Sequence, residues 1–288
     1  ESESRGLGDV YKRQGFSYSR CSNPTVVQLQ DKLATLEDAE AAQVFASGMA
    51  AAHALLASRL SLGDHIIFSD VNYVGVAELI RETLPRWGIE ITAVDTSNLE
   101  EISMAIKPNT KMVWIETPAN PILRLADIEG IAKIVKKEGI KDFVVDSTFA
   151  SPIATQPLKL GANFVMHSLT KYICGHGDAM GGAILGSRKD IDKLNLEATV
   201  HYGGVLSPFN AWLILRGMAT LTIRMKAHEK NAKIVANFLE NHSSINNVIY
   251  PGLISHPQHS LAKRQMNNYS GMIAFTYKFC GAKLSEHM

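Results

Sequence analysis

Lys111-Met-Val-Trp-Ile-Glu116, then Asp127-Ile-Glu-Gly-Ile-Ala-Lys-Ile-Val-Lys-Lys-Glu138, then Phe143-Val-Val-Asp146 read as strand, amphipathic helix and strand. The two short runs are mostly apolar, which suits strands buried on both faces. Two such strands joined through a helix build a parallel sheet with helices packed against it.

The same alternation extends in both directions. Upstream lie strand candidates at 65–68 and 89–94 with helical segments at 76–84 and 99–106, and downstream come short strands at 163–167 and 183–185. Asn23-Pro24 reads as an N-cap followed by proline at the first helical position, and Val26, Leu29, Leu33 and Leu36 then share one face, predicting a helix over 24–37. A long helical pattern over 209–239, interrupted near Gly217, leads into strand candidates at 248–250 and 272–277. The expectation is an α/β protein: a polar leader or arm over 1–14, a large three-layer domain with a mostly parallel sheet over 15–240, and the beginning of a smaller α+β domain over 241–288.

Composition narrows the function. The chain has 288 residues, 29 Lys+Arg against 28 Asp+Glu, and a formal net charge of +1, so no excess of positive charge draws it to nucleic acid or anionic membranes. The stretch 41–58 is free of Asp, Glu, Lys and Arg, but Gln43, Ser47, Gly48 and His53 interrupt it, which argues against a membrane span. The first residues lack the basic-then-apolar pattern of a signal peptide. Cys21, Cys174 and Cys280 form no CxxC pair and are too few for a disulfide scaffold, so a cytoplasmic setting is expected.

In open α/β sheets ligands collect beyond the carboxyl ends of the strands. Asp146 closes one predicted strand and Lys171 follows another, so both would face one crevice. A lysine held there can lose its proton and form a Schiff base with an aldehyde cofactor, while a carboxylate can keep a pyridinium nitrogen protonated. The pair describes a pyridoxal phosphate site; the plainer alternative is a surface lysine and a helix cap. Ser168 and Thr170 add hydroxyls able to bind phosphate, and Ser47-Gly48-Met49 opens an alanine-rich helix whose free N–H groups suit an anion. Cys174, His176 and Asp178 alternate like metal ligands, but a trio in one loop reads better as structural, and no metal is expected.

Five segments together carry a resemblance: Ser168-Leu-Thr-Lys171-Tyr-Ile-Cys-Gly-His-Gly-Asp178, Tyr18-Ser-Arg20-Cys-Ser-Asn-Pro-Thr25, Ser47-Gly-Met49, Glu116-Thr-Pro-Ala-Asn-Pro121 and Val144-Val-Asp-Ser-Thr148. The chain resembles the Cys/Met-metabolism family of pyridoxal phosphate enzymes, from about residue 15 to 277. That resemblance implies the aspartate aminotransferase-like architecture of fold type I. It implies that Lys171 is the Schiff-base lysine, that Asp146 partners the pyridine nitrogen, and that Tyr73 stacks on the ring and takes part in proton transfer. Ser47, Gly48, Met49, Ser168 and Thr170 would hold the phosphate, Asn120 would bond the phenolic oxygen, and Glu116 would support that side. Tyr18 and Arg20 would reach the phosphate of a neighbouring subunit, which implies a homodimer or homotetramer with shared active sites.

The implied reaction is γ-elimination on a sulfur amino acid, giving a 2-oxo acid, ammonia and a thiol, with γ-replacement on an O-acylhomoserine as the alternative. Methionine γ-lyases typically carry a cysteine where Gly75 stands and a Lys-Asp pair where Thr199-Val200 stands, which turns the expectation away from methionine as preferred substrate. The family's substrate-carboxylate arginine has no counterpart after Tyr277, and the chain looks shortened at both ends. A cofactor-binding but catalytically idle member is therefore the third expectation.

Overall fold

Asn23 starts the first helix among the described residues, α1 (Pro24–Glu37): its side chain accepts from Thr25 N at 3.0 Å, and Pro24 sits where a missing N–H costs nothing. The computed structural model describes residues 15–16 and 18–278. The further helices are α2 (Gly48–Arg59), α3 (Val74–Glu78), α4 (Leu99–Met104), α5 (Ile128–Lys137), α6 (Ser151–Ala154), α7 (Arg188–Leu194), α8 (Pro208–Met218), α9 (Leu221–Glu240) and α10 (His259–Gln265).

Between them run β1 (Ala41–Phe45), β2 (His65–Ser69), β3 (Glu90–Val94), β4 (Thr110–Glu116), β5 (Asp142–Asp146), β6 (Phe164–Ser168) and β7 (Gly182–Gly186). Among the described residues these form one seven-stranded sheet in the order β1-β7-β6-β5-β4-β2-β3. The pairings from β3 through β6 are parallel, whereas β7 runs antiparallel to both β6 and β1. The architecture is α/β with a mainly parallel sheet.

Strand side chains alternate between faces, and each face meets a helix. Phe68, Trp114, Val144 and Met166 pack with Ala51 and Leu55 of α2, while Ile67, Val113, Phe143 and Val145 pack with Ile128, Ile131 and Val135 of α5. Burying an aliphatic side chain of that size contributes about 1.5–3 kcal/mol, so the two faces together commit the sheet to a central layer.

One local expectation needed correction. The helix expected over 76–84 keeps α-geometry only in α3, then widens into a π-turn (Leu79–Thr83) and closes in a 3₁₀ turn (Leu84–Trp87). Pro85 has no N–H to continue an α-ladder, so the helix ends tightly. The long C-terminal helical run is interrupted near Gly217, as expected: α8 ends at Met218 and α9 starts at Leu221. Gly217 itself serves close packing, because a Cβ there would lie 2.0 Å from Cys174 O.

Beyond α9, β8 (Ile245–Ile249) and β9 (Ala274–Tyr277) pair antiparallel in a separate two-stranded sheet. Ala232 and Ala236 of α9 pack there with Val248 and Tyr250.

Register sets the position of the site. Glu116 pairs with Asp146 across β4 and β5, and Gly182 pairs with both Ser168 and Phe45. The ends of β1, β4, β5 and β6 and the start of β7 therefore meet along one edge.

Candidate active site

At that edge Asp146 is 4% exposed. Its Oδ1 accepts two hydrogen bonds from one residue, Thr148 N at 3.0 Å and Thr148 Oγ1 at 2.6 Å. The chain turns back on itself two residues after the carboxylate, the usual Asx geometry. Thr148 Oγ1 in turn accepts from Ser168 N at 2.9 Å, so a single hydroxyl ties the end of β6 to the Asp146 carboxylate. Burial pushes the Asp146 carboxyl above its usual range, and the Thr148 bonds and the nearby His167 imidazole pull it back only in part. Among the described residues Oδ2 receives no donor, which leaves it able to accept from a ring N–H.

Glu116 is buried on the neighbouring strand. Its Oε2 accepts from Tyr73 N at 2.6 Å and its Oε1 from Asn120 N at 2.8 Å. Burial first and the charge of Asp146 second push the Glu116 carboxyl up to about 8, even though both backbone N–H groups favour the anion. One side chain thus fixes the backbone of two loops that flank the crevice.

Tyr73 stands at the N-terminus of α3 with its side chain 43% exposed. Gly75 lies against it: a Cβ built at 75 would be 2.9 Å from Tyr73 Cε1 and 2.9 Å from Met49 Sδ. Position 75 has no room for a side chain while Tyr73 and Met49 stay in place.

The phosphate cradle depends on two close approaches. Ser47 caps α2, its Oγ accepting from Ala50 N at 3.1 Å, while the Gly48 and Met49 N–H groups, at the start of the helix, have no intrahelical acceptor. A Cβ at Gly48 would sit 3.0 Å from Ser168 Cβ, and one at Gly182 would sit 2.2 Å from Ser47 O. Only glycines let the helix start, the end of β6 and the start of β7 converge so closely. Thr170 Oγ1 bridges the backbone of Gly181, 3.2 Å from both its N and its O, so its hydroxyl must turn if it is to donate to an anion. Lys171 is exposed in the turn that follows β6, its N bonded to Ser168 O at 3.3 Å.

The structure thus brings together Ser47, Gly48, Met49, Tyr73, Glu116, Asn120, Asp146, Ser168, Thr170 and Lys171. Tyr18 and Arg20 lie elsewhere: the Arg20 guanidinium stacks over the Tyr18 ring at 5.1 Å and donates to Val200 O of the same chain. Sequence reasoning assigned no role to Thr148; the Asp-x-Thr spacing, a common side-chain-to-backbone turn, is the signal that could have found it. It also passed over Arg124, for which no local signal exists. Cys174 Sγ donates to Asp178 Oδ1 at 3.3 Å and His176 Nδ1 lies 2.7 Å from Cys174 O, which ties that loop to itself.

The atoms left open fit pyridoxal phosphate. The open oxygen of a carboxylate on a buried residue suits the ring nitrogen, and a glycine-lined helix N-terminus beside the Ser168 hydroxyl suits the phosphate.

Comparison with known proteins agrees with that chemistry. A family model described as Cys/Met metabolism PLP-dependent enzyme matches residues 3–287. A probable cystathionine gamma-synthase of Herpetosiphon aurantiacus is 46% identical over 275 residues, covering 95% of this chain and 84% of that protein. An L-methionine gamma-lyase of Fusobacterium nucleatum subsp. polymorphum is 43% identical, covering 96% of this chain and 70% of its own length. The solved cystathionine gamma-lyase of Lactobacillus plantarum, complexed with L-serine, superposes with a TM-score of 0.88 at 39% identity, over 91% of this chain and 68% of that one. With a match along nearly its whole length and a crevice whose open atoms suit the cofactor, this chain belongs to the Cys/Met-metabolism family of pyridoxal phosphate-dependent enzymes.

Proposed function

We propose that the protein catalyses γ-elimination on sulfur amino acids over a broad substrate range, releasing a 2-oxo acid, ammonia and a thiol. The observation that carries this reading is the chain Ser168 N–H to Thr148 Oγ1 to Asp146 Oδ1, which leaves Oδ2 open beside the strand end that leads to Lys171. Pyridoxal phosphate, when bound, supplies an electron-withdrawing ring that stabilises negative charge at the substrate Cα.

The chain's own residues supply the rest. Asp146 would accept a hydrogen bond from the cofactor's ring N–H, and Thr148 keeps that carboxylate oriented. Lys171 would hold the cofactor covalently and, as a free amine, would take the proton from the substrate Cα. Tyr73, held by Glu116 through its backbone, would lie against the ring and move protons toward the γ-leaving group. Gly48, Met49, Ser168 and Thr170 would bind the phosphate, and Asn120 would bond the phenolic oxygen.

The relatives include both lyases and synthases, so γ-replacement on an O-acylhomoserine is the second reading. The crowded position at Gly75 supports cystathionine rather than methionine as the better substrate, since it departs from the cysteine of methionine γ-lyases. We assign residues 15–240 to the large cofactor-binding unit and those from 241 onward to a smaller one. We also place the working form as a homodimer or homotetramer in the cytoplasm. The exposed Tyr18, Tyr202, Phe209 and Trp212 support association, and no described helix is long and apolar enough to cross a membrane.

Purified protein supplied with pyridoxal phosphate should develop an absorbance band at the edge of the visible range that Lys171→Ala abolishes. It should release 2-oxobutyrate from cystathionine faster than it forms cystathionine or homocysteine from O-acylhomoserine and a thiol. Turnover only in the second assay would establish the synthase, and a coloured protein inert in both would be an idle binder.

A further inference from the structure

Arg124 occupies a position that the chemistry above does not use. It follows the Asn120 loop, which closes on itself through Ala119 N to Arg124 O at 2.9 Å and Leu123 N to Ala119 O at 2.7 Å. Its guanidinium reaches across the sheet edge to two carboxylates, Nη2 to Asp70 Oδ1 and Nη1 to Asp95 Oδ2, the second at 3.0 Å. Asp70 directly follows β2 and opens the loop to Tyr73; Asp95 directly follows β3. The side chain is only 20% exposed, and its planar fork satisfies both acids at once.

Neither carboxylate makes another ion pair among the described residues, although Arg81 donates to the Asp70 carbonyl at 2.8 Å. Asp70 Oδ1 also accepts from Val71 N at 2.9 Å, and Asp95 Oδ1 accepts from Ser97 N and Oγ. Each carboxylate is therefore fixed by its own loop and aimed at the same guanidinium. Without Arg124 two like charges would face one point, with the Asp70 backbone still held by Val94 O at 2.9 Å and by Arg81 at 2.8 Å, so the loosening would fall on the residues that follow it toward Tyr73.

The two loops are thus joined twice. Glu116 holds the backbone of Tyr73 and Asn120 from inside, and Arg124 ties the base of the Tyr73 loop to the end of the Asn120 loop from outside. We infer that Arg124 is a positioning residue for the reaction: with Asp70 and Asp95 it clamps the two loops that set Tyr73 and Asn120 against the cofactor ring. This inference rests on the proposed roles of those two residues. A surface ion pair alone is worth little, but a guanidinium shared by two oriented carboxylates at loop bases restricts backbone motion.

Hydrogen exchange on the chain without cofactor tests the clamp itself. Arg124→Ala should raise exchange of the amides at 71–73 and 120 by about tenfold while the β5 amides keep their protection. Arg124→Lys should fall between, since an ammonium cannot span both acids, and 0.5 M salt should reproduce part of the effect in the unaltered chain, about a Debye length of 4–5 Å screening the pair. On the loaded protein, the dichroism of the bound cofactor in the visible range should fall by about half in Arg124→Ala. Unchanged exchange at 71–73 and 120, with only the melting temperature lowered, overturns the inference. Tyr73→Ala reports separately on the reading beneath it: unaltered dichroism there would remove Tyr73 from the ring, while the exchange result still decides whether Arg124 clamps the loops.

Discussion

Glu116 Oε2 accepts from Tyr73 N at 2.6 Å, so the residue proposed to lie over the cofactor is held by its backbone from a strand 43 positions away. The other oxygen of the same carboxylate holds Asn120. Because the carboxyl is buried beside Asp146, this contact carries a marked dependence on pH.

In the chain without cofactor the folded Glu116 titrates at about 8, against an unperturbed value of 4.5. A folded value raised above the unfolded one contributes stability that is fully present below about pH 4.5 and lost as pH rises toward 8. Between those limits the unaltered chain should lose stability relative to Glu116→Gln with a slope approaching 1.4 kcal/mol per pH unit. Parallel denaturation curves for the two chains across that window would place the titration elsewhere.

Thr148 makes three of the hydrogen bonds that order Asp146. Thr148→Val should cost about 1–3 kcal/mol, since it leaves Ser168 N and Asp146 Oδ1 short of partners, and should weaken pyridoxal phosphate binding. Thr148→Ser keeps the hydroxyl and should recover most of both. Chemical denaturation together with cofactor titration separates the two effects.

Gly182 faces Ser47 O at a distance that no Cβ can share. Gly182→Ala should destabilise by about 1–3 kcal/mol and lower the affinity for cofactor, because the backbone that must move is the cap of α2. Gly75→Cys meets flexible side-chain atoms, so the fold should survive while the Tyr73 ring shifts and the ratio of cystathionine to methionine turnover changes. Equal ratios in the two proteins would show that position 75 does not set specificity.

Glu37 and His167 are both fully buried, with Oε1 and Nε2 2.5 Å apart. The pair joins the end of α1 to the end of β6, one residue before Ser168. Glu37→Ala should cost about 1–3 kcal/mol, as expected when a buried polar group loses its hydrogen-bond partner, and the double change with His167→Leu should cost less than the sum of the single ones. Additive losses in the double-mutant cycle would mean that the two groups do not stabilise each other.

The sheet was legible because its strands are apolar on both sides and the helix between β4 and β5 is strongly amphipathic. Alternation of that kind admits few architectures. The split of the 76–84 helix was not legible, since its apolar pattern fits an α-helix and only the geometry around Pro85 forces the wider and tighter turns. The interruption near Gly217 was legible, but not the Cys174 carbonyl that lies where a side chain at 217 would be.

Within the candidate site, residue type and order point to Asp146, Lys171 and the Ser47-Gly48-Met49 turn as candidates, because strand ends in such sheets share an edge. Sequence by itself determined the layered α/β order and the family, both of which follow from local patterns along the chain. Only the tertiary structure decided that Glu116 holds Tyr73 and Asn120 together, that Thr148 links Asp146 to Ser168, that Arg124 serves two aspartates, and that Arg20 turns onto Val200. Those contacts join segments distant along the chain, and their partners are chosen by strand order and register, which no local pattern records.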